Sequence, residues 1–301
     1  MSTAIGHIDG HKFTGISIFT FAWVFAALLD SGAKWLAQAG LPVLMIVYFR
    51  FNWHLICTTV WLYKSGGLNR KVFQTGRTWL LILRGVMLFL STLLNFFALQ
   101  YLPLTLTVTF FFLSPMLVCL LSIPLLGEKV GLSKWIPILT GFVGVLIAVK
   151  AFDANFHPAV FISLGSTLSF SFYAILTRKL SATVSTDTQQ FFGSFVSTLI
   201  MLPVVFFVWE TPEVPVHWII LCGIGVFGFL THQMMTRAYR FAEASTLTPF
   251  IYVHLIYMTA ASWLFFNQLP DLFNMIGSAV VIVSGIVLWS QEKRPKRIVG
   301  P

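Results

Sequence analysis

Charge is what this 301-residue chain has least of. Asp, Glu, Lys and Arg together make up 10% of it, against about 25% in an ordinary soluble domain. A water-soluble fold of this size could not be covered with so few charges, so that class is excluded. Cysteine is scarce too. Cys57, Cys119 and Cys222 all lie in apolar stretches, with no paired or Cys-x-x-Cys spacing. That argues against disulfides and metal sites and leaves small core residues. Long polar segments are also missing, so there is no room for a folded extramembrane domain. His-Glu-x-x-His, paired intramembrane aspartates and a Ser-His arrangement are absent; Gly193-Ser194 stands outside any motif. The chain therefore does not read as an enzyme, and no cofactor is expected. A channel would want a filter-like loop or a ring of charge, and a scaffold would want larger loops for partners.

What is present is apolar: 57% of residues are hydrophobic and the mean hydropathy is +0.85. The apolar residues fall in blocks of about 20, the length that crosses a hydrocarbon core of about 30 Å. Ten spans are predicted, at 15–37, 41–63, 78–100, 103–126, 134–150, 157–178, 188–209, 216–238, 244–266 and 271–290. No β-barrel alternation appears, so they are helices, whose backbone groups pair internally. The fold class is thus an all-α integral membrane protein with ten transmembrane helices. The first block, from Gly15, has spanning length and no small-residue cleavage site, so no cleavable signal is expected.

The net charge of +9 has a membrane explanation rather than a nucleic-acid one. With the N-terminus in the cytoplasm, fifteen of the nineteen basic residues fall in inside segments and Lys150 alone in the outside loops. Lys34, Arg50 and Arg84 lie within spans. This is the positive-inside bias with both termini cytoplasmic.

The stretch from Ala98, "ALQYLPLTLTVTFFFLSPMLVCLLSIPLLGEKVG", aligns with that from Ala238, "AYRFAEASTLTPFIYVHLIYMTAASWLFFNQLPD". Thr105 then matches Ser245, and Gly127-Glu128 matches Asn267-Gln268. Each half, 1–150 and 151–301, holds five spans. Five is odd, so the halves form an inverted repeat of the kind that puts a substrate site near the membrane midplane.

The segments "SPMLVCLLSIPLLGEKVGLSKWIPILTGFVGVLI" and "EASTLTPFIYVHLIYMTAASWLFFNQLPDLFNMIGSAVVIVSGIVLW" resemble the two ends of the EamA repeat of the drug/metabolite transporter superfamily. "YFRF", with Arg50 in the second span, fits as well. The resemblance covers essentially the whole chain. It implies a bacterial inner-membrane carrier with a central cavity between the halves, and amino-acid exporters of about this length are its best match. One departure is Gln268, which stands where the second repeat usually carries Glu.

Ionisable groups inside a membrane are costly and so are candidates for function. Asp30 can pair with Lys34 on one helix face or with Arg50 on the next helix. Such a pair either engages a zwitterionic substrate or is a structural ion pair near the outer interface. Asp30, His232 and His254 are candidates for proton coupling, although intramembrane His also serves as interhelical glue, as does His54. Trp23, Asn95, Thr109, Ser114, Tyr173, Tyr252 and Tyr257 complete the candidate cavity with Asp30, Arg50 and His254. Pro115, Pro124 and Pro249 are candidate hinges, and Glu128 and Gln268 candidate gates. Gly141 and Gly144, with Gly277, Ser278, Ser284 and Gly285, form small-residue faces for close helix packing, within a monomer or a weak homodimer.

The function these features imply is alternating-access transport of a small organic solute. Amino acids, aromatic or otherwise neutral, moved outward fit best, and uptake of a nucleoside-like or vitamin-like metabolite is the alternative.

Overall fold

Proline and glycine decide where one apolar block ends and the next begins. In the computed structural model, which describes residues 2–65, 76–126, 132–150, 157–181, 183–241 and 247–292, the first helix, α1, runs Ser2–Gln38. It ends at Gly40, whose φ of 93° lets Leu41 N–H reach back to Leu36 carbonyl at 3.1 Å. That is the left-handed glycine stop of a Schellman turn. Pro42 then caps α2, Val43–Lys64. After α3, Thr78–Tyr101, Pro103 caps α4, Leu104–Phe111. Proline suits these entry positions because its missing N–H is an orphan there in any case.

The fourth block is interrupted. The sequence reads one helix over 103–126 that prolines bend, whereas α4 stops at Phe111 and α5, Ser114–Leu126, starts afresh beyond Phe112 and Leu113. Pro115 thus falls in the first turn of α5, where it breaks no ladder bond, and Pro124 alone lies inside that helix. The chain continues as α6 (Leu132–Ala148), α7 (Ala159–Ser181), α8 (Thr186–Val205) and α9 (Pro215–Phe241). A five-residue 3₁₀ turn, Thr248–Tyr252, with Pro249 near its start, leads into α10, Val253–Phe266. The last helix is α11, Leu272–Glu292. With the repeat alignment of Ala98 on Ala238, the break at 112–113 falls on the 3₁₀-to-α junction at 252–253. Phe112 and Tyr252 meet there edge to face at 5.0 Å.

Among the described residues the fold is all helix. Eight helical stretches are long and apolar enough to cross a bilayer, counting 104–125 as one, and two more, Trp135–Ala148 and Phe250–Phe266, are shorter. The main pairings are α1 with α9, α3 with α7, α2 with α8 and α6 with α11. Advancing each member by five spans turns α1–α9 into α7–α3, and α2–α9 into α8–α3. The same shift maps α2–α8 and α6–α11 onto themselves. A two-repeat architecture has this pattern. One large cluster of buried apolar side chains, including Phe51, Phe110, Phe112 and Met116, joins both halves. The outer faces carry exposed Phe, Leu, Ile and Trp, such as Phe207, Leu264 and Trp79, as lipid contact demands.

Candidate functional site

Eight helices, α1–α4 and α7–α10, surround a cavity of about 670 Å³, within the size range of small-molecule sites. It reaches the bundle end where α7 meets α8, at the exposed Arg178 and Thr186. The opposite end is closed. There Lys34, 2% exposed, donates from Nζ to the Leu102 carbonyl at 2.7 Å and reaches Gln268 Oε1 at 3.5 Å, with the Phe266 ring 5.2 Å away. Leu36, Leu99, Leu102 and Leu104 are buried in the main apolar cluster. Lys34 therefore turns away from Asp30 and holds three helix ends together.

Asp30 on α1 and Arg50 on α2 both border the cavity and lie within electrostatic reach of each other, yet they do not pair. Among the described residues the direct ion pair is a different one, Lys150 with Asp271 at 2.8 Å. Asp30 accepts a single hydrogen bond, from Asn95 Nδ2 at 3.0 Å. Arg50 Nη1 donates to His54 Nδ1 at 3.2 Å, its guanidinium lies over the Phe51 ring at 4.1 Å, and its Nε is buried with no hydrogen-bond partner. Gly228 on α9 makes room for it. A Cβ there would lie 3.5 Å from Arg50 Cζ and 3.6 Å from Nη2.

Arg84 on α3, 3% exposed, is held by three donations. Nε goes to Thr177 Oγ1 at 2.7 Å, Nη1 to the Gln189 carbonyl at 2.6 Å and Nη2 to the Tyr173 hydroxyl at 2.8 Å. The group also lies over the Tyr173 ring at 4.4 Å. These bonds tie α3 to α7 and α8 across the cavity wall. Ser166 Oγ donating to the Ser91 carbonyl at 2.8 Å adds to the α3–α7 contact. Gln190 Nε2 donating to Gln233 Oε1 at 3.1 Å joins α8 to α9.

Away from the guanidiniums, the wall is aromatic. Trp23 and His254 lie 4.7 Å apart with planes 32° from parallel, Phe111 meets Trp23 edge-on at 5.8 Å, and Phe170 continues from Phe111 at 4.7 Å. Trp23 Nε1 and both ring nitrogens of His254 are buried without partners, as is Gln189 Oε1. An unsatisfied buried polar atom costs about 1–3 kcal/mol. Several around one cavity fit a site whose polar groups meet a solute.

Of the residues singled out by sequence, Trp23, Asp30, Arg50, Asn95, Tyr173, His232 and His254 border the cavity. His232 stacks on His54 at 5.6 Å. Four others lie outside the wall. Thr109 Oγ1 bonds Ser278 Oγ at 2.6 Å and the Thr105 carbonyl; Ser114 is buried at the start of α5. The Tyr252 hydroxyl fills the notch at Gly285 on α11, and Tyr257 packs against the Phe19, Trp23 and Leu247 cluster. Glu128 lies outside the described residues. Arg84, Gln189 and Gln190 carry no role in the sequence reading, although a guanidinium inside a span is itself a signal.

The model of the EamA-like transporter family matches residues 13–150 and again 157–290. An S-adenosylmethionine uptake transporter of Rickettsia felis is 24% identical over 285 residues, covering 94% of this chain and 95% of the relative. A riboflavin transporter of Vibrio cholerae is 26% identical over 292 residues, with 96% and 97% covered. A pseudopaline exporter of Pseudomonas aeruginosa is 27% identical over 280 residues, with 92% and 95% covered. A protein solved by crystallography shares the fold at a TM-score of 0.63 and 16% identity, covering 95% of this chain and 99% of its own.

Proposed function

The chain belongs to the EamA-like transporter family, and on that premise we propose that it carries a small metabolite with an amino-acid end through the bilayer by alternating access. The observation that carries this reading is the unpaired juxtaposition of Asp30 and Arg50 on one cavity. A carboxylate and a guanidinium left apart in a low-dielectric space are complementary to an ammonium and a carboxylate on one solute. Paired with each other, they would have had no such capacity. Relatives named for S-adenosylmethionine uptake and for pseudopaline export are among those the chain resembles.

The chain crosses the membrane ten times in this proposal, as two inverted halves of five spans, 1–150 and 151–301. The positive-inside count puts both termini, and the cavity mouth at Arg178 and Thr186, on the cytoplasmic side of a bacterial inner membrane. The conformation is then inward-open, with Lys34, Leu102 and Gln268 sealing the outer end. Export of the amino-acid-like solute is the proposed direction, driven by its outward gradient. Rocking of the halves about the interrupted helices at 112–113 and 252–253 exposes the same site outward.

Purified protein in liposomes, challenged with radiolabelled amino acids, purines and vitamins with and without a pH gradient, tests this reading. Amino-acid flux is the expected result. Flux indifferent to the gradient removes any role for Asp30, His232 or His254 in proton coupling, and flux of purines or vitamins alone overturns the amino-acid class.

A further inference from the structure

Among the described lining residues the charges do not balance: Asp30 is the only carboxylate, against the buried guanidiniums of Arg50 and Arg84. Arg84 is the unusual member. It is buried, no described carboxylate lies within ion-pairing distance of it, and its three acceptors, a hydroxyl, a phenol and a backbone carbonyl, are all neutral. Those bonds fix the guanidinium without cancelling its charge. A guanidinium carries five N–H donors, so two remain. Buried charge without an opposite charge is strongly unfavourable, and intramembrane ionisable groups normally pair or line a substrate path. His232 lies 6.4 Å from the Tyr173 ring and 5.6 Å from the His54 ring, the residues that Arg84 and Arg50 contact, so the two positive groups address one stretch of the wall.

We propose that the carried solute is net anionic: its amino-acid end lies between Asp30 and Arg50, and a second acidic group, carboxylate or phosphate, answers Arg84. This rests on the amino-acid reading above and narrows it, since the zwitterion is neutralised by Asp30 and Arg50 and the charge of Arg84 is left over. Tyr173, Thr177 and Gln189 act here as positioning residues that hold the guanidinium toward the cavity. A solute with a neutral amide in place of the second acid fills the same space and leaves Arg84 uncompensated. A cationic side chain adds repulsion.

The test is ligand-induced thermal stabilisation of the full-length protein in detergent, titrated with L-glutamate, L-2-aminoadipate, O-phospho-L-serine, L-glutamine and L-lysine. Each measurement is run in chloride and in gluconate. At least one acidic member is expected to stabilise at a tenfold or more lower concentration than L-glutamine, and L-lysine to be weakest, in either salt. Arg84→Gln should bring acid and amide to within about twofold, and Arg84→Lys should keep the preference. Equal potency of glutamate and glutamine overturns the proposal while leaving the amino-acid reading standing. Chloride dependence without an acid preference overturns it also, because an inorganic anion then supplies the missing charge. Stabilisation by none of the five overturns both. If Arg84→Gln fails to fold, the acid-to-amide ratio of the unaltered protein decides alone.

Discussion

Gly144 and Gly277 meet backbone to backbone where α6 crosses α11. A Cβ on Gly144 would sit 2.9 Å from the Gly277 carbonyl oxygen, and one on Gly277 would run into the backbone of Gly144 and Ala148. Neither helix borders the cavity, so this contact clamps the two repeats together at a distance from the site. The small-residue face the sequence offers for packing or for a dimer is used within the chain.

Gly277→Ala should therefore lower the melting temperature, by the equivalent of about 1–3 kcal/mol for an overpacked contact, without altering solute selectivity. Differential scanning fluorimetry with a solute titration separates the two effects. An unchanged melting temperature would show that the helices part easily.

Lys34 closes the end of the bundle opposite the mouth through Leu102 and Gln268. Removing its ammonium leaves the Leu102 carbonyl with one partner fewer and frees the ends of α1, α3 and α10. Lys34→Met should increase labelling of a cysteine placed at Thr107, in a cysteine-free background, by an impermeant maleimide added from the Gln268 side. The cavity wall includes position 107, so unchanged labelling would mean the seal does not depend on Lys34.

Asp271 lies outside the spanning helices and caps α11, accepting from Asn274 N–H at 2.8 Å and pairing with Lys150 at 2.8 Å. Its slight burial works against ionisation, but the bonds from Lys150 and the Asn274 N–H outweigh that and hold its carboxyl below the usual value of 3.8. A carboxyl held low stabilises the fold fully above its unfolded value and loses that contribution as the pH falls through its folded value. Asp271→Ala should cost about 1 kcal/mol at pH 7, with the gap to the unaltered protein closing as the pH falls below 3.8. Melting curves across that range check it, and a gap constant with pH would assign the effect to something other than the ionised cap.

The membrane class and the positions of the long apolar helices were legible because apolar length is a direct consequence of bilayer thickness. The interruption at Phe112–Leu113 was not, since Pro115 suggests a kink in a continuous helix and nothing local forbids one. Helix phase was the harder matter. Thr109 stands among inward-capable hydroxyls, but α4 is buried on nearly every side, and only its neighbour decides that the hydroxyl turns to Ser278. Asp30, Arg50 and Asn95 were found because charge or amide inside a span is conspicuous. Arg84 was equally conspicuous, but its partners are a backbone carbonyl and hydroxyls roughly ninety to a hundred residues away, which no spacing rule connects. The closing role of Lys34 was hidden for the same reason.

In the proposed transport cycle Asp30 and Arg50 grip the two ends of one amino acid. The most direct measurement is inhibition of liposome transport of the best substrate by its des-amino acid and by its decarboxylated amine, in the unaltered protein, Asp30→Asn and Arg50→Gln. A charge-assisted hydrogen bond contributes about 1.5–3 kcal/mol, or roughly ten- to a hundredfold in affinity. Both analogues should be at least tenfold weaker than the substrate on the unaltered protein. Asp30→Asn should erase the penalty for the missing amine only, and Arg50→Gln the penalty for the missing carboxylate only. Both variants transporting and discriminating like the unaltered protein would show that neither group binds an end of the solute.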